Sequence, residues 1–156
     1  MMRDLVRTTL TSVAVLTLFL AWASTAYASG GLRAGLSDDP DQFLFGGQIE
    51  PDPVAENVHI VPSGEVGISD DLFSLQFNGD VQYRFRTDSG IRPYVGAGLT
   101  LAWYDPEGGG DSNTEIGLNA LGGLYFGKKT PMFVDLKLGL TDDVPDLKAV
   151  FGINFL

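Results

Sequence analysis

The chain has 156 residues, 44% of them hydrophobic, with a formal net charge of −10, a single histidine and no cysteine. That length holds one domain. So acidic a chain lacks the basic surface that nucleic-acid binding requires, and without cysteine no disulfide framework can hold it together.

In chain order the first element is a targeting segment. Arg3 and Arg7 make residues 1–7 positive, an apolar stretch covers residues 10–23, and Ala26-Tyr27-Ala28 is a small-residue cleavage site. This is the layout of a secretory signal peptide over residues 1–28. The alternative, an uncleaved anchor, asks for an apolar run of ~20 residues. Cleavage removes Arg3, Arg7 and Asp4, one net positive charge, and takes the formal charge from −10 to about −11. An exported domain over 29–156 without disulfides draws its stability from a core or from lipid. No later apolar run approaches a spanning helix, so any membrane insertion is as a closed barrel.

Residues 29–156 read as strand after strand. Turn signals fall at 37–41, 51–53, 69–71, 87–90, 105–110, 128–131 and 141–145, all rich in Asp, Gly, Pro, Ser, Thr or Lys. They separate eight predicted strands near 31–36, 42–50, 58–68, 73–86, 91–104, 113–127, 132–140 and 147–155, of which the first two are short and glycine-rich. In the fourth, Phe73, Leu75, Phe77, Val81, Tyr83 and Phe85 share one face, and Ser74, Gln76, Asn78, Asp80, Gln82, Arg84 and Arg86 share the other. The fifth sets Val95, Leu99, Leu101 and Trp103 opposite Arg92, Tyr94 and Thr100. The sixth sets Ile116, Leu118 and Leu124 opposite Glu115, Asn119 and Tyr125. The seventh opposes Val134, Leu136 and Leu138 to Asp135 and Lys137, and the eighth opposes Leu147, Phe151 and Ile153 to Lys148 and Asn154. A period of two on strand after strand means one apolar and one polar face throughout.

A short motif recurs. Ala34-Gly35-Leu36-Ser37-Asp38-Asp39, Val66-Gly67-Ile68-Ser69-Asp70-Asp71 and Leu138-Gly139-Leu140-Thr141-Asp142-Asp143 share the order apolar, Gly, aliphatic, hydroxyl, Asp, Asp. They close the first, third and seventh predicted strands, which in an up-and-down meander end on one rim. The bland alternative is that turn chemistry repeats by chance.

Alternation alone does not say which face is inside. A soluble lipocalin-like barrel hides the apolar set, whereas a membrane barrel turns it outward. Four features favour the membrane. Several strands reach the ~9–11 residues that cross a bilayer at a tilt. Aromatic residues gather near strand ends: Phe43, Phe73, Phe85, Trp103, Phe126 and Phe155, with Phe133 on the neighbouring face. Charges of both signs stand at mid-strand on the polar face, so Asp80, Arg84, Arg92, Glu115, Asp135 and Lys137 are the expected members of a polar network in the lumen. Lysine is scarce beyond the targeting segment: Lys128, Lys129, Lys137 and Lys148. The expected fold is an all-β, eight-stranded antiparallel up-and-down transmembrane β-barrel.

Pro93-Tyr94-Val95-Gly96-Ala97-Gly98-Leu99, the run from Gly117 to Gly127, and the closing Lys148-Ala149-Val150-Phe151-Gly152-Ile153-Asn154-Phe155 resemble the small bacterial outer-membrane β-barrel domain proteins, OmpW- and OmpX-like in architecture. The resemblance covers residues 29–156 and implies a cell outer-membrane location. It also implies outer-membrane lipid and lipopolysaccharide as surroundings, the barrel-assembly machinery as a partner in biogenesis, and a monomer. Members typically end in an aromatic residue, and here Leu156 follows Phe155. With both termini periplasmic, the resemblance and the repeat place Asp38, Asp39, Asp41, Asp70, Asp71, Asp105, Glu107, Asp111, Asp142, Asp143 and Asp146 on the outer rim, and Lys128 and Lys129 on the periplasmic one.

Candidate chemistry is thin. His59 and Ser63 share a face, but four strand residues separate them by about 13 Å at ~3.3 Å each, beyond nucleophile–base reach. A lipid A deacylase would pair such residues on its last strands, so the expected catalytic set is empty and no cofactor is implied. Asp38, Asp39, Asp70, Asp71, Asp142 and Asp143 are weak candidates for Ca²⁺ or Mg²⁺, with solvated turns the plainer explanation. Gly96-x-Gly98 and Gly122-Gly123 precede no helix, so they are not phosphate loops; they read as small inward residues beside long polar neighbours. An eight-stranded barrel has room only for its own side chains or one small ligand. The leading expectation is a non-enzymatic structural or interaction barrel with a side-chain-filled lumen. A narrow conduit or binding barrel for small hydrophobic molecules and a soluble periplasmic lipocalin-like binder are the alternatives.

Overall fold

A computed structural model describes residues 29–155. The targeting segment assigned to 1–28 and the terminal Leu156 lie outside the described residues. The strands are β1 (Ser29–Asp38), β2 (Gln42–Glu50), β3 (Val58–Ile68), β4 (Leu72–Arg84), β5 (Ile91–Pro106), β6 (Asn113–Phe126), β7 (Met132–Gly139) and β8 (Leu147–Phe155). Each pairs antiparallel with the next, and β1 closes on β8 from Gly30↔Phe155 to Asp38↔Leu147, giving a closed eight-stranded barrel. Closure abolishes the sheet edges, so every strand finds two partners for its backbone.

β1 is longer than the 31–36 expected of it. Its glycines carry no side chains to display the alternation, yet it is hydrogen-bonded on both sides, to β2 and to β8. Two ladders end early. The β2–β3 ladder stops at Gln48↔Ser63, next to Pro62, which has no N–H to carry it on. β6 outruns β7, whose ladder begins at Asn119↔Gly139. The continuation is closed by Leu140 N–H donating to the Leu118 carbonyl (2.8 Å) and Leu118 N–H to Thr141 Oγ1 (3.2 Å).

Which way the two faces point decides the rest. Leu99, Leu118, Leu136, Leu138 and Phe151 are each half or more exposed, whereas Ser74, Gln76, Asn78 and Asp80 are at most 1% exposed. The barrel is apolar outside and polar inside, the reverse of a protein made for water. Aromatic side chains ring both ends of the apolar belt. Phe43, Phe73 and Trp103 lie toward the rim that carries the β1–β2 turn, called here the far rim, and Phe73 and Trp103 meet edge to face at 6.2 Å. Tyr83, Phe85, Phe126 and Phe155 lie toward the rim of the chain ends, the terminal rim, where Tyr83 and Phe85 meet at 5.2 Å. Phe133 is not part of either girdle: it points inward and is 1% exposed.

All three copies of the repeated motif end at the far rim. A side chain at its glycine would collide with backbone or polar groups. A Cβ on Gly35 would stand 2.2 Å from the Ala149 carbonyl oxygen, one on Gly67 2.3 Å from Ser74 Oγ, and one on Gly139 2.7 Å from the Pro145 carbonyl oxygen. The motif thus records how tightly the wall packs where odd strands leave the barrel.

Candidate functional site

Polar side chains facing the axis of so narrow a barrel have only one another as partners. Four cations, Arg33, Arg84, Lys137 and Lys148, meet four anions, Glu50, Glu65, Asp80 and Asp135, in five ion pairs. Glu65 is the hub, with Arg33 Nε at 2.7 Å and Lys148 Nζ at 2.7 Å. Arg33 also lies 3.5 Å from Asp135, Lys137 pairs with Asp80, and Arg84 pairs with Glu50.

Neutral groups join these pairs, Lys137–Asp80 excepted, into one network. Lys148 Nζ donates to Gln76 Oε1 (2.6 Å), Arg33 Nη1 to Gln48 Oε1 (3.2 Å) and Gln48 Nε2 to Asn154 Oδ1 (3.0 Å). Asn154 Nδ2 donates in turn to Glu50. On the other wall, Asn119 Nδ2 donates to Thr100 Oγ1 (2.9 Å), Thr100 to Asn78 Oδ1 (2.7 Å) and Asn78 Nδ2 to Ser63 Oγ (3.2 Å).

Toward the terminal rim, level with the Arg84–Glu50 pair, sits an aromatic plug. Tyr125 packs against Tyr94 at 5.1 Å and Phe133 at 5.4 Å, and Leu121 and Val150 complete the cluster. The Arg84 guanidinium lies 4.2 Å over the Tyr125 ring, while its Nη2 donates to the Tyr125 hydroxyl at 3.0 Å. Glycines make the room. A Cβ on Gly152 would be 2.1 Å from Phe133 Cζ, one on Gly123 2.4 Å from the Tyr94 hydroxyl, and one on Gly98 2.1 Å from Asp80 Oδ1. Gly122 differs from its neighbour and from the expectation for it: the nearest atom to its Cβ site is the Tyr94 carbonyl oxygen at 3.6 Å, on the wall rather than in the lumen. Gly152→Ala is therefore expected to destabilise by about 1–3 kcal/mol, with most of the loss recovered by adding Phe133→Leu. Denaturant titration of the two variants and the single Phe133→Leu checks this coupling.

No protein-family model and no curated protein matches the chain. Solved structures do. The crystal structure of Neisserial surface protein A (NspA) superposes with a TM-score of 0.61 at 16% identity, covering 81% of this chain and 94% of that one. The N-terminal β-barrel domain of Pseudomonas aeruginosa OprF gives 0.58 at 23% identity over 81% and 96%. The Yersinia pestis outer membrane protein Ail in a phospholipid bilayer nanodisc gives 0.51 at 12% over 82% and 98%. The chain has the fold of the small outer-membrane β-barrels.

Within that fold, Asp80, Arg84, Asp135 and Lys137 sit inside the barrel as network members. Arg92 does not. It lies one residue inside the terminal-rim end of β5, beyond the aromatic plug, and is exposed. Glu115 is half-buried at the opposite end, where it accepts from Asn113 Nδ2 at 2.6 Å. Both have the parity of lumen residues, but their height along the axis takes them out of it. The sequence reading missed Arg33, Glu50, Glu65 and Lys148, which carry the available signal: each occupies the polar parity of its strand.

The structure does not bring His59 and Ser63 together. Ser63 is opposite Asn78 in the β3–β4 ladder and bonded to it, whereas His59 is opposite Gln82, two layers nearer the terminal rim, its Nδ1 without a partner among the described residues. Asp38, Asp39, Asp70, Asp71, Asp142 and Asp143 lie at the ends of separate far-rim turns. Among the described residues no group of three His, Cys, Asp or Glu side chains is placed to hold a metal ion.

Proposed function

We propose that the protein resides in the bacterial outer membrane as a non-enzymatic, side-chain-plugged barrel. Its wall is a scaffold for the far-rim turns, which face the outside. The observation that carries this is the lumen: four positive and four negative side chains paired across the axis, with Tyr94, Tyr125 and Phe133 packed together on its terminal-rim side, level with the Arg84–Glu50 pair. An interior with complementary charges and no net charge among these groups has little to offer a passing solute, and its rings obstruct the path. The apolar exterior argues against a soluble lipocalin-like binder, whose exposed face would be polar. A conduit for small hydrophobic molecules would need an apolar passage where this lumen carries ion pairs.

Planar-bilayer recording of the refolded protein tests the reading. Heat-modifiable migration in SDS is expected, together with no resolvable unitary current. Steady ohmic steps would overturn the plugged lumen, and recovery of the processed chain from a detergent-free periplasmic wash would overturn the location.

A further inference from the structure

We propose that the β7–β8 loop is a hinged stopper over the far mouth, which swings out to admit water and small hydrogen-bond donors to the upper lumen while the terminal end stays shut. The β6–β7 ladder begins at Asn119↔Gly139, so β6 from Asn113 to Leu118 has no β7 beside it. The loop does not fill that place as a strand would. It is pinched at its base by Gly139 N–H donating to the Asp146 carbonyl (3.0 Å). Within the pinch it turns two apolar residues into the mouth. Val144 is 5% exposed and Pro145 is buried, whereas Asp142, Asp143 and Asp146 around them are exposed.

Val144 rests in a seat made by two glycines. A Cβ on Gly117 would stand 2.4 Å from Val144 Cγ1, and one on Gly139 3.2 Å from its Cγ2. Thr141 Oγ1, accepting from Leu118 N–H at 3.2 Å, ties the loop to the wall. Beneath the seat the lumen is closed to solvent: Thr100, opposite Gly117, and its neighbours Asn78 and Asn119 are at most 4% exposed. The terminal end is closed differently. Tyr94, Tyr125 and Phe133 belong to β5, β6 and β7, and each is paired with both neighbouring strands. Moving them means breaking the wall. A closure carried on a loop has fewer contacts to break, and the parts of a protein that open are drawn from such segments.

What enters meets acceptors. Asn119 Oδ1 and Asp80 Oδ1 are buried without a hydrogen-bond partner among the described residues. Both border the point where a Cβ on Gly98 would stand, at 2.7 and 2.1 Å. Unpaired buried acceptors are costly until a donor reaches them, and water or a small N–H compound is such a donor. The inference goes beyond the role proposed above and does not rest on it, because access from one end is separate from passage right through.

The chain has no cysteine, so a single introduced thiol reports access. The full processed barrel carrying Thr100→Cys, refolded in uncharged detergent, is labelled with methyl methanethiosulfonate, which the acidic rim neither draws nor repels. Ser112→Cys, in the exposed β5–β6 loop, is the freely accessible reference, and Asn119→Cys is a second reporter beneath the stopper. Labelling beneath the stopper is expected to be slower than the reference by about ten- to a thousandfold, as for a minor open state populated at roughly 0.1–10%. Val144→Gly should speed it about tenfold, as loss of one buried aliphatic side chain implies. Thr141→Val keeps the stopper but removes its tie, and should speed labelling a few-fold. Both variants change loop side chains alone, so heat-modifiable migration should persist. Labelling beneath the stopper as fast as at Ser112→Cys would mean that nothing closes the mouth. An unchanged rate in Val144→Gly would mean that the way in lies elsewhere, and an unchanged rate in Thr141→Val that Val144 is fixed wall. Any of the three overturns the proposal.

Discussion

Glu65→Leu should lower the unfolding free energy by roughly 3–5 kcal/mol, the cost of breaking a buried pair from one side. Glu65 holds Arg33 and Lys148 at once, both at 2.7 Å, with all three side chains at most 4% exposed. Leucine leaves two cations facing each other across a narrow lumen with one anion fewer. Asp135 at 3.5 Å from Arg33 compensates only in part. Urea titration of the protein folded in lipid vesicles measures the loss, followed by the fluorescence of Trp103. Adding Lys148→Met should return part of the stability, since one of the stranded charges goes with it. The comparison variant is Arg86→Ala. Its pair with Glu56, at 3.2 Å, is about three-quarters exposed on both sides, so its removal should cost no more than about 1 kcal/mol. If Glu65→Leu were as mild as Arg86→Ala, the lumen would be well hydrated and the plugged reading would fail.

How much of this was legible in the sequence follows from what alternation encodes. A strand in a closed barrel has one lumen face, so period-two patterning of β4 to β8 gave the face of nearly every residue directly. It does not encode height. Arg92 and Asp80 have the same parity, yet Asp80 is opposite Gly98 in the middle of β5 while Arg92 stands by its terminal-rim end. Height depends on the stagger between strands, which only pairing sets. β1 and β2 were obscure for another reason. Where Gly31, Gly35 and Gly46 face neighbouring backbone or side chains within 2.2 Å of a would-be Cβ, the residue the wall requires is the one that shows no face. Arg33 was hidden among them. The inward turn of Val144 was likewise invisible, because Thr141-Asp142-Asp143-Val144-Pro145 reads as a solvated turn. Its seat is supplied by Gly117, where a Cβ would come within 2.4 Å of Val144 Cγ1.

Leu99→Arg should destabilise the lipid-folded protein by about 2–4 kcal/mol, with the same change at Ile91 costing about 0–1 kcal/mol. Leu99 is 50% exposed on the outer face of β5, opposite Gly79 of β4 and Leu118 of β6. Ile91 begins the same strand at the terminal rim and is 48% exposed. To water the two positions are alike, so in a soluble barrel both arginines would be tolerated within about 0.5 kcal/mol. To a bilayer they differ, because a guanidinium at mid-depth must drag water or headgroups toward it, whereas one at the interface reaches them unaided. The distinguishing quantity is therefore the difference between two arginines on one strand, which cancels the intrinsic effects of the substitution. Urea titrations of both variants in vesicles give it directly. A difference near zero would mean that the apolar face of β5 never meets acyl chains. A difference of 2 kcal/mol or more puts Leu99 near the bilayer midplane, and with it the depth at which Lys137 pairs with Asp80 across the lumen.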